Sequence, residues 1–190
     1  VAGVAGFNAF HYFQKRYPGQ VFGTRRVDNW PLSGPGIHGC DVEDYEGFAA
    51  LFEQHKFQSV LNCEGTCALK SCELDPAMAQ RVNVVGVQNL LKLVRQYQAR
   101  MVHLSIDLVF SGTGQGGHVE QDVTDPVTVY GRTMVEAEQL MLQENPAACI
   151  LRISLPMGIS HNGHAGAIDW IQSRFAKSKP ATLYYDEIRT

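Results

Sequence analysis

The sequence predicts an α/β fold: a doubly wound, mostly parallel sheet with helices on both faces. Three observations carry this. Short apolar runs alternate with helical-period segments of ten residues or more, which implies right-handed crossovers between parallel strands. The 190-residue chain is 45% hydrophobic and 18% charged, the balance of an ordinary globular domain with a real core. No internal repeat or low-complexity segment interrupts the alternation.

The elements follow in order. Val1-Ala2 is the stump of a strand that runs into a glycine turn. Residues 7–17 form a helix with Phe10, Phe13 and Tyr17 on one stripe, ended by Pro18-Gly19. A short strand covers Val21-Phe22-Gly23, with Thr24-Arg25-Arg26 after it. Residues 29–39, with Pro31, Ser33, Gly34, Pro35 and Gly36, are loop. A helix over 44–55 buries Phe48, Leu51 and Phe52, and 59–62 is a strand. One long helix spans 76–97, with Val82, Val85, Asn89, Leu93 and Val94 in phase. A strand over 100–104 leads into Asp107–Phe110 and then a glycine-rich loop, 111–117. Helix 128–143, strand 149–153, helix 166–177 and a last strand at 180–184 complete the pattern. The expected division is a nucleotide-binding domain over 1–154 and the start of a substrate-binding part over 155–190. The chain is expected to be cut at both ends, since it opens without Met and stops in a strand-like run, 182–190.

Composition excludes several classes. Sixteen Lys+Arg against nineteen Asp+Glu give a net charge of −3 and no basic stripe, so no nucleic-acid partner is expected. No apolar run reaches the ~20 residues of a membrane span. The five cysteines are an odd, scattered set, which argues for reduced thiols and a cytoplasmic setting. Cys63, Cys67 and Cys72 lack a fourth ligand at a zinc-like spacing, and they read as structural thiols, with no metal expected. His161 and His164 bracket a loop and read as solvated.

The start of the chain carries a phosphate-binding pattern. Gly3, Gly6 and Ala9 stand in the order G-x-x-G-x-x-A at the opening of a helix, with Phe7 and Asn8 in its first turns. The first glycine permits a tight turn, and the second lets the backbone approach a pyrophosphate. The small third residue brings helix and sheet together, and the helix N-terminus offers unpaired N–H groups. Some twenty residues on, a dinucleotide fold places an acid to hold a ribose 2′-OH. Here Thr24, Arg25 and Arg26 stand instead, a set suited to a 2′-phosphate, so NADP(H) is favoured over NAD(H). Asp41-Val42 falls where an adenine is expected, and Cys63-Glu64-Gly65 follows a strand where the cofactor backbone would pass. The fold is thus read as Rossmann-like.

The stretch His103-Leu-Ser-Ile-Asp-Leu-Val-Phe-Ser-Gly112 resembles the "HxSTDxVFxG" segment of dTDP-4-dehydrorhamnose reductases, members of the extended short-chain dehydrogenase/reductase family. Glu120, Asp122, Pro126, Val129-Tyr130-Gly131-Arg132-Thr133, Glu138 and Arg152-Ile153-Ser154 continue the likeness. Upstream, Asn83-Val-Val-Gly86-Val-Gln-Asn89-Leu90 is similar to the family's "NxxGTxNL" helix. The resemblance implies a nicotinamide cofactor and a nucleotide-sugar ligand, with most of the substrate-binding part absent from this chain. It carries cofactor contacts onto Leu104, Ser105, Tyr130 and Leu155, and pairing as a homodimer or in a regulatory complex with another enzyme is a further implication.

The resemblance also implies a Thr-Tyr-Lys triad. Tyr130 matches the tyrosine, but Ile106 stands at the threonine and Met134 at the lysine. Neither replacement can tune a tyrosine. Arg132, two positions on, points elsewhere on a helix. Ser105 faces the opposite side of an extended strand. Asp107 would raise a tyrosine pKa rather than lower it, and Glu64 adds an acid beside the expected phosphates. The expectation is a nucleotide or nucleotide-sugar binding protein that is weakly active or non-catalytic. The alternative is an active NADPH-dependent reductase of a 4-keto nucleotide sugar with Tyr130, and secondarily Ser105 and Asp107, in the catalytic role.

Overall fold

The computed structural model describes residues 1–146, 148–163 and 166–183. In chain order the elements are α1 (Val4–Arg16), β1 (Gly23–Arg25), β2 (Ile37–Gly39), α2 (Tyr45–His55), β3 (Ser59–Asn62), α3 (Leu69–Leu74), α4 (Pro76–Gln80), a π turn (Arg81–Val85), α5 (Gly86–Gln96), β4 (Arg100–Ile106), a 3-10 turn (Asp107–Val109), α6 (Val129–Glu144), β5 (Cys149–Ile153) and α7 (Ala167–Ala176). All registered strand pairs are parallel. The chain groups into two compact units, Val1–Asp41 with Ser154–Thr190, and Val42–Ile153.

In the first unit, β1 pairs with β2 with Thr24 opposite His38. Helix α1 begins directly after Gly3, earlier than the apolar stripe alone suggests, and buries Val4, Gly6 and Phe10. Residues beyond 154 return to it. The His161 N–H donates to Ala2 O at 3.2 Å and Asn8 Nδ2 to Ile159 O at 2.9 Å. A Cβ at Gly158 or Gly166 would stand 2.9 or 2.7 Å from a Val4 methyl, so both glycines permit this close packing. In the first turn of α7, the buried Asp169 carboxylate accepts from Ser160 Oγ at 2.6 Å and Gly166 N at 3.1 Å.

In the second unit the sheet order is β3-β4-β5, with Asn62 opposite His103 and Ser105 opposite Arg152. Along β4, Met101, His103 and Ser105 are buried and Val102, Leu104 and Ile106 half-buried, the period-2 pattern of a pleated strand. Helix α5 buries Val87, Leu90, Leu91, Leu93 and Val94, and it contacts both α2 and α6. Thr128 caps α6 through its Oγ1, which accepts from Gly131 N at 2.9 Å.

Four expectations need correction. The strand at 21–23 lies at Gly23–Arg25, so Thr24 and Arg25 are within it. The loop at 29–39 ends in strand β2, set up by a turn in which Ile37 N donates to Gly34 O at 3.1 Å. Gly36 in that turn has φ +76° and would press a Cβ to 2.7 Å from Val21 O, so glycine is required there. The helix over 76–97 is continuous but not uniform: Asp75 caps it at Met78 N with Pro76 first, and a π turn at Arg81–Val85 lies between α4 and α5 with helical backbone at both junctions. Residues 180–183 form no strand, and Tyr184 onward lies outside the described residues.

Candidate functional site

In the first unit, Gly3 is the exposed N-cap of α1 with nothing within 4 Å of where a Cβ would stand, so its backbone is open to close approach. Gly6 is buried in the first turn. Phe7 meets His11 edge-on at 4.5 Å. Both N–H groups of Asn8 are used on Val4 O and Ile159 O, which makes this side chain a tie between α1 and the later loop. Thr24 O accepts from Val1 N at 2.5 Å. Arg25 donates to three carbonyls of its own loop, Leu32 O at 2.6 Å, Arg26 O at 2.9 Å and Val27 O at 3.1 Å. Arg26 pairs with Asp28 at 2.7 Å. Asp41 Oδ1 accepts from Val27 N at 3.0 Å, and Leu155 is 45% exposed.

In the second unit the three positions that the resemblance matches to a triad lie together. Tyr130 and Met134 are buried with Cys72, Ala79 and Val109, and Ile106, Leu108 and Phe110 pack against this cluster. Tyr130 is 7% exposed and Met134 3%. Burial pushes the Tyr130 phenol well above its usual range, and Cys67, Cys72 and Asp107 push it further the same way. Arg132 reaches the other way, donating to Val127 O at 3.1 Å. Ser105, as its strand position predicts, is on the opposite face from Ile106 and donates to Glu138 Oε1 at 2.5 Å.

Around this cluster, Val42 packs on Gly86, whose Cβ would stand 2.1 Å from a Val42 methyl. Burial raises the Cys63 thiol to about 11, with Glu64 acting in the same direction. Gly65 lies where a Cβ would stand 3.2 Å from Asn83 Oδ1. Leu104 is half-buried on the Ile106 side of β4. Among the described residues, no group of three or more His, Cys, Asp or Glu side chains is placed to hold a metal, and no helix is long and apolar enough to cross a membrane. The five cysteines are thiols.

Three polar ties were not singled out as site residues from the sequence. Asn83, 2% exposed, accepts from Thr66 N at 2.8 Å and donates to Thr133 Oγ1 at 2.9 Å, and that hydroxyl donates to Tyr130 O at 2.8 Å. The loop after β3 is thereby fixed to the first turn of α6. Arg152 binds the buried Glu138 carboxylate through Nε at 3.0 Å and Nη2 at 2.7 Å. Asn62 faces His103 Nδ1 at 3.0 Å while its Oδ1 accepts from Glu64 N at 3.0 Å. The amide therefore donates to Nδ1 and the imidazole proton sits on Nε2. The signals available in sequence were Asn83 in the "NxxG" segment and Glu138 and Arg152 in the family stretches.

Parallel sheets wound by helices, with polar and glycine residues just past the strands, define a Rossmann-like α/β protein. The chain belongs to the RmlD substrate binding domain family, whose profile matches residues 20–190. A dTDP-4-dehydrorhamnose reductase of Aggregatibacter actinomycetemcomitans is 30% identical over 118 residues, 62% of this chain and 40% of that protein. Methionine adenosyltransferase 2 subunit beta of Xenopus laevis is 30% identical over 145 residues, 73% of this chain and 43% of that protein. The structure of a Bacillus anthracis dTDP-4-dehydrorhamnose reductase in complex with NADP superposes with a TM-score of 0.60 at 18% identity, covering 70% of this chain and 52% of that one. At that identity the likeness is one of fold. The chain spans about half the length, or less, of the curated relatives it matches.

Proposed function

We propose that this chain is the nucleotide-binding part of a protein that binds NADP(H) and a nucleotide sugar and is at most weakly active by the family's tyrosine mechanism. One observation carries the reading: Tyr130 and Met134 are buried in one apolar cluster, and the half-buried Ile106 packs against it. In a 4-keto sugar reduction, NADPH supplies the hydride that reduces the carbonyl carbon. Tyr130 Oη is the group left to give the carbonyl oxygen its proton. A tyrosine near pKa 10 needs a cation to act as a matched acid and base at neutral pH. Here the surrounding thiols and Asp107 act against ionisation. General acid–base catalysis is worth ~10²–10⁴-fold, which is the scale of the expected deficit.

The NADP(H) preference rests on the absence of an acid in Thr24-Arg25-Arg26, and it is supported by the relative solved with NADP. A partner-binding role is supported by the relative whose name makes it a subunit of another enzyme. The second reading, an active reductase, is favoured by the retained Tyr130 and by relatives named as reductases. A cytoplasmic setting is proposed from the thiols.

Steady-state NADPH oxidation with a 4-keto nucleotide sugar separates the readings. The full-length protein should show little turnover, and Ile106→Thr with Met134→Lys should raise it at least about tenfold. Robust turnover by the unaltered protein, lost on Tyr130→Phe, would refute the non-catalytic reading.

A further inference from the structure

The loop after β1 presents one ion pair on a fixed base. Arg25 holds the base through its bonds to Leu32 O, Arg26 O and Val27 O. Two turn bonds, Asn29 N to Arg26 O at 3.0 Å and Leu32 N to Asn29 O at 3.1 Å, close it. Asp41 Oδ1 fixes Val27 N from outside. On this base Arg26 and Asp28 are paired side-on, Nε to Oδ1 at 3.2 Å and Nη2 to Oδ2 at 2.7 Å, and the two side chains are 72% and 67% exposed. Of the two arginines that follow the sequence reading of a 2′-phosphate site, Arg25 is therefore committed to its own loop. Arg26 is the one presented outward, and it already carries a carboxylate.

We propose that Asp28 is a specificity-determining residue that weakens recognition of an adenosine 2′-phosphate by Arg26 and so narrows the preference for NADP(H) over NAD(H). The proposal rests on the reading that the first unit takes the adenosine end of a dinucleotide. Arg26 keeps its Nη1 edge for a phosphate, because Asp28 occupies the Nε edge. Two effects of Asp28 then oppose each other. It orients the guanidinium in advance, and it cancels much of the charge that a phosphate seeks. Orientation by an exposed pair is weak, since such pairs hold long side chains loosely. The charge effect is larger. A 2′-phosphate carries nearly two negative charges, and it would lie about one guanidinium width from the carboxylate. Attenuation wins, so removing the carboxylate strengthens phosphate recognition.

The test compares 5′-AMP with adenosine 2′,5′-bisphosphate, which differ by the 2′-phosphate alone. Calorimetric titration of the full chain gives the ratio of the two affinities. Asp28→Asn should raise the ratio in favour of the bisphosphate about three- to tenfold and leave AMP affinity within about twofold. Arg26→Gln should bring the ratio close to one, and Asp28→Asn added to it should then change nothing. An unchanged or lowered ratio in Asp28→Asn, with AMP still bound, would overturn the proposal while leaving the adenosine reading intact. Failure of both nucleotides to bind the unaltered chain and Asp28→Asn would overturn that reading and the proposal with it.

Discussion

His103 is 1% exposed, and burial pushes its imidazole down to about 4, with Glu138 pulling weakly the other way. The unfolded chain titrates near 6.5. A depressed histidine contributes its stability in full above that value and loses it as pH falls toward 4, because the unfolded state takes up the proton first. The native fold should lose up to about 3 kcal/mol across this window from His103. In His103→Gln, which keeps a donor and acceptor beside Asn62, urea midpoints at pH 7 and pH 4.5 should lie closer together than in the parent. Equal pH dependence in both proteins would contradict the assignment. Glu138 is the second buried group whose partner matters. Glu138→Gln leaves the Arg152 guanidinium, 25% exposed, without its carboxylate, and should cost about 2–4 kcal/mol in denaturant unfolding. Fourteen residues separate these two partners, and no local pattern links them. The role of Arg25 was equally hidden, since its acceptors are backbone carbonyls that any sequence would supply.

At the scale of elements, one glycine sets where a helix can lie. A Cβ at Gly131 would stand 2.3 Å from Leu108 O, so the first turn of α6 presses directly on the 3-10 turn after β4. Backbone cannot yield as a side chain can. Gly131→Ala should cost about 2–3 kcal/mol and disturb the Tyr130 cluster. Gly114→Ala, where nothing lies within 4 Å, should stay within about 0.5 kcal/mol. Thermal unfolding followed by circular dichroism checks both, and similar losses in the two would remove the packing argument. The sheet-forming segments 59–62, 100–104 (which the structure extends to Ile106) and 149–153 were legible because each is an apolar run bounded by turns or polar residues. Strand β2 was not, because three residues behind Ser33-Gly34-Pro35-Gly36 carry no period. The π turn was hidden for another reason. No residue type in 81–85 marks an inserted residue, and Asn83 within the turn joins the Thr66–Thr133 network.

For the molecule as a whole, the family and the parallel α/β architecture were readable from motifs in order along the chain. The apolar residues Ile106 and Met134 at the positions that the resemblance matches to a threonine and a lysine were readable in the sequence. What the sequence could not show is that those two side chains and Tyr130 pack together into one apolar cluster. Tyrosinate absorbance in the ultraviolet reads this packing at the Tyr130 phenol itself. The difference titration between the full chain and Tyr130→Phe isolates one phenol among seven. With burial, Cys67, Cys72 and Asp107 all opposing the phenolate, the difference signal should be flat from pH 6 through about 10. A Tyr130 transition near or below about pH 8 would contradict the account, because a tyrosine that ionises there is tuned for proton transfer.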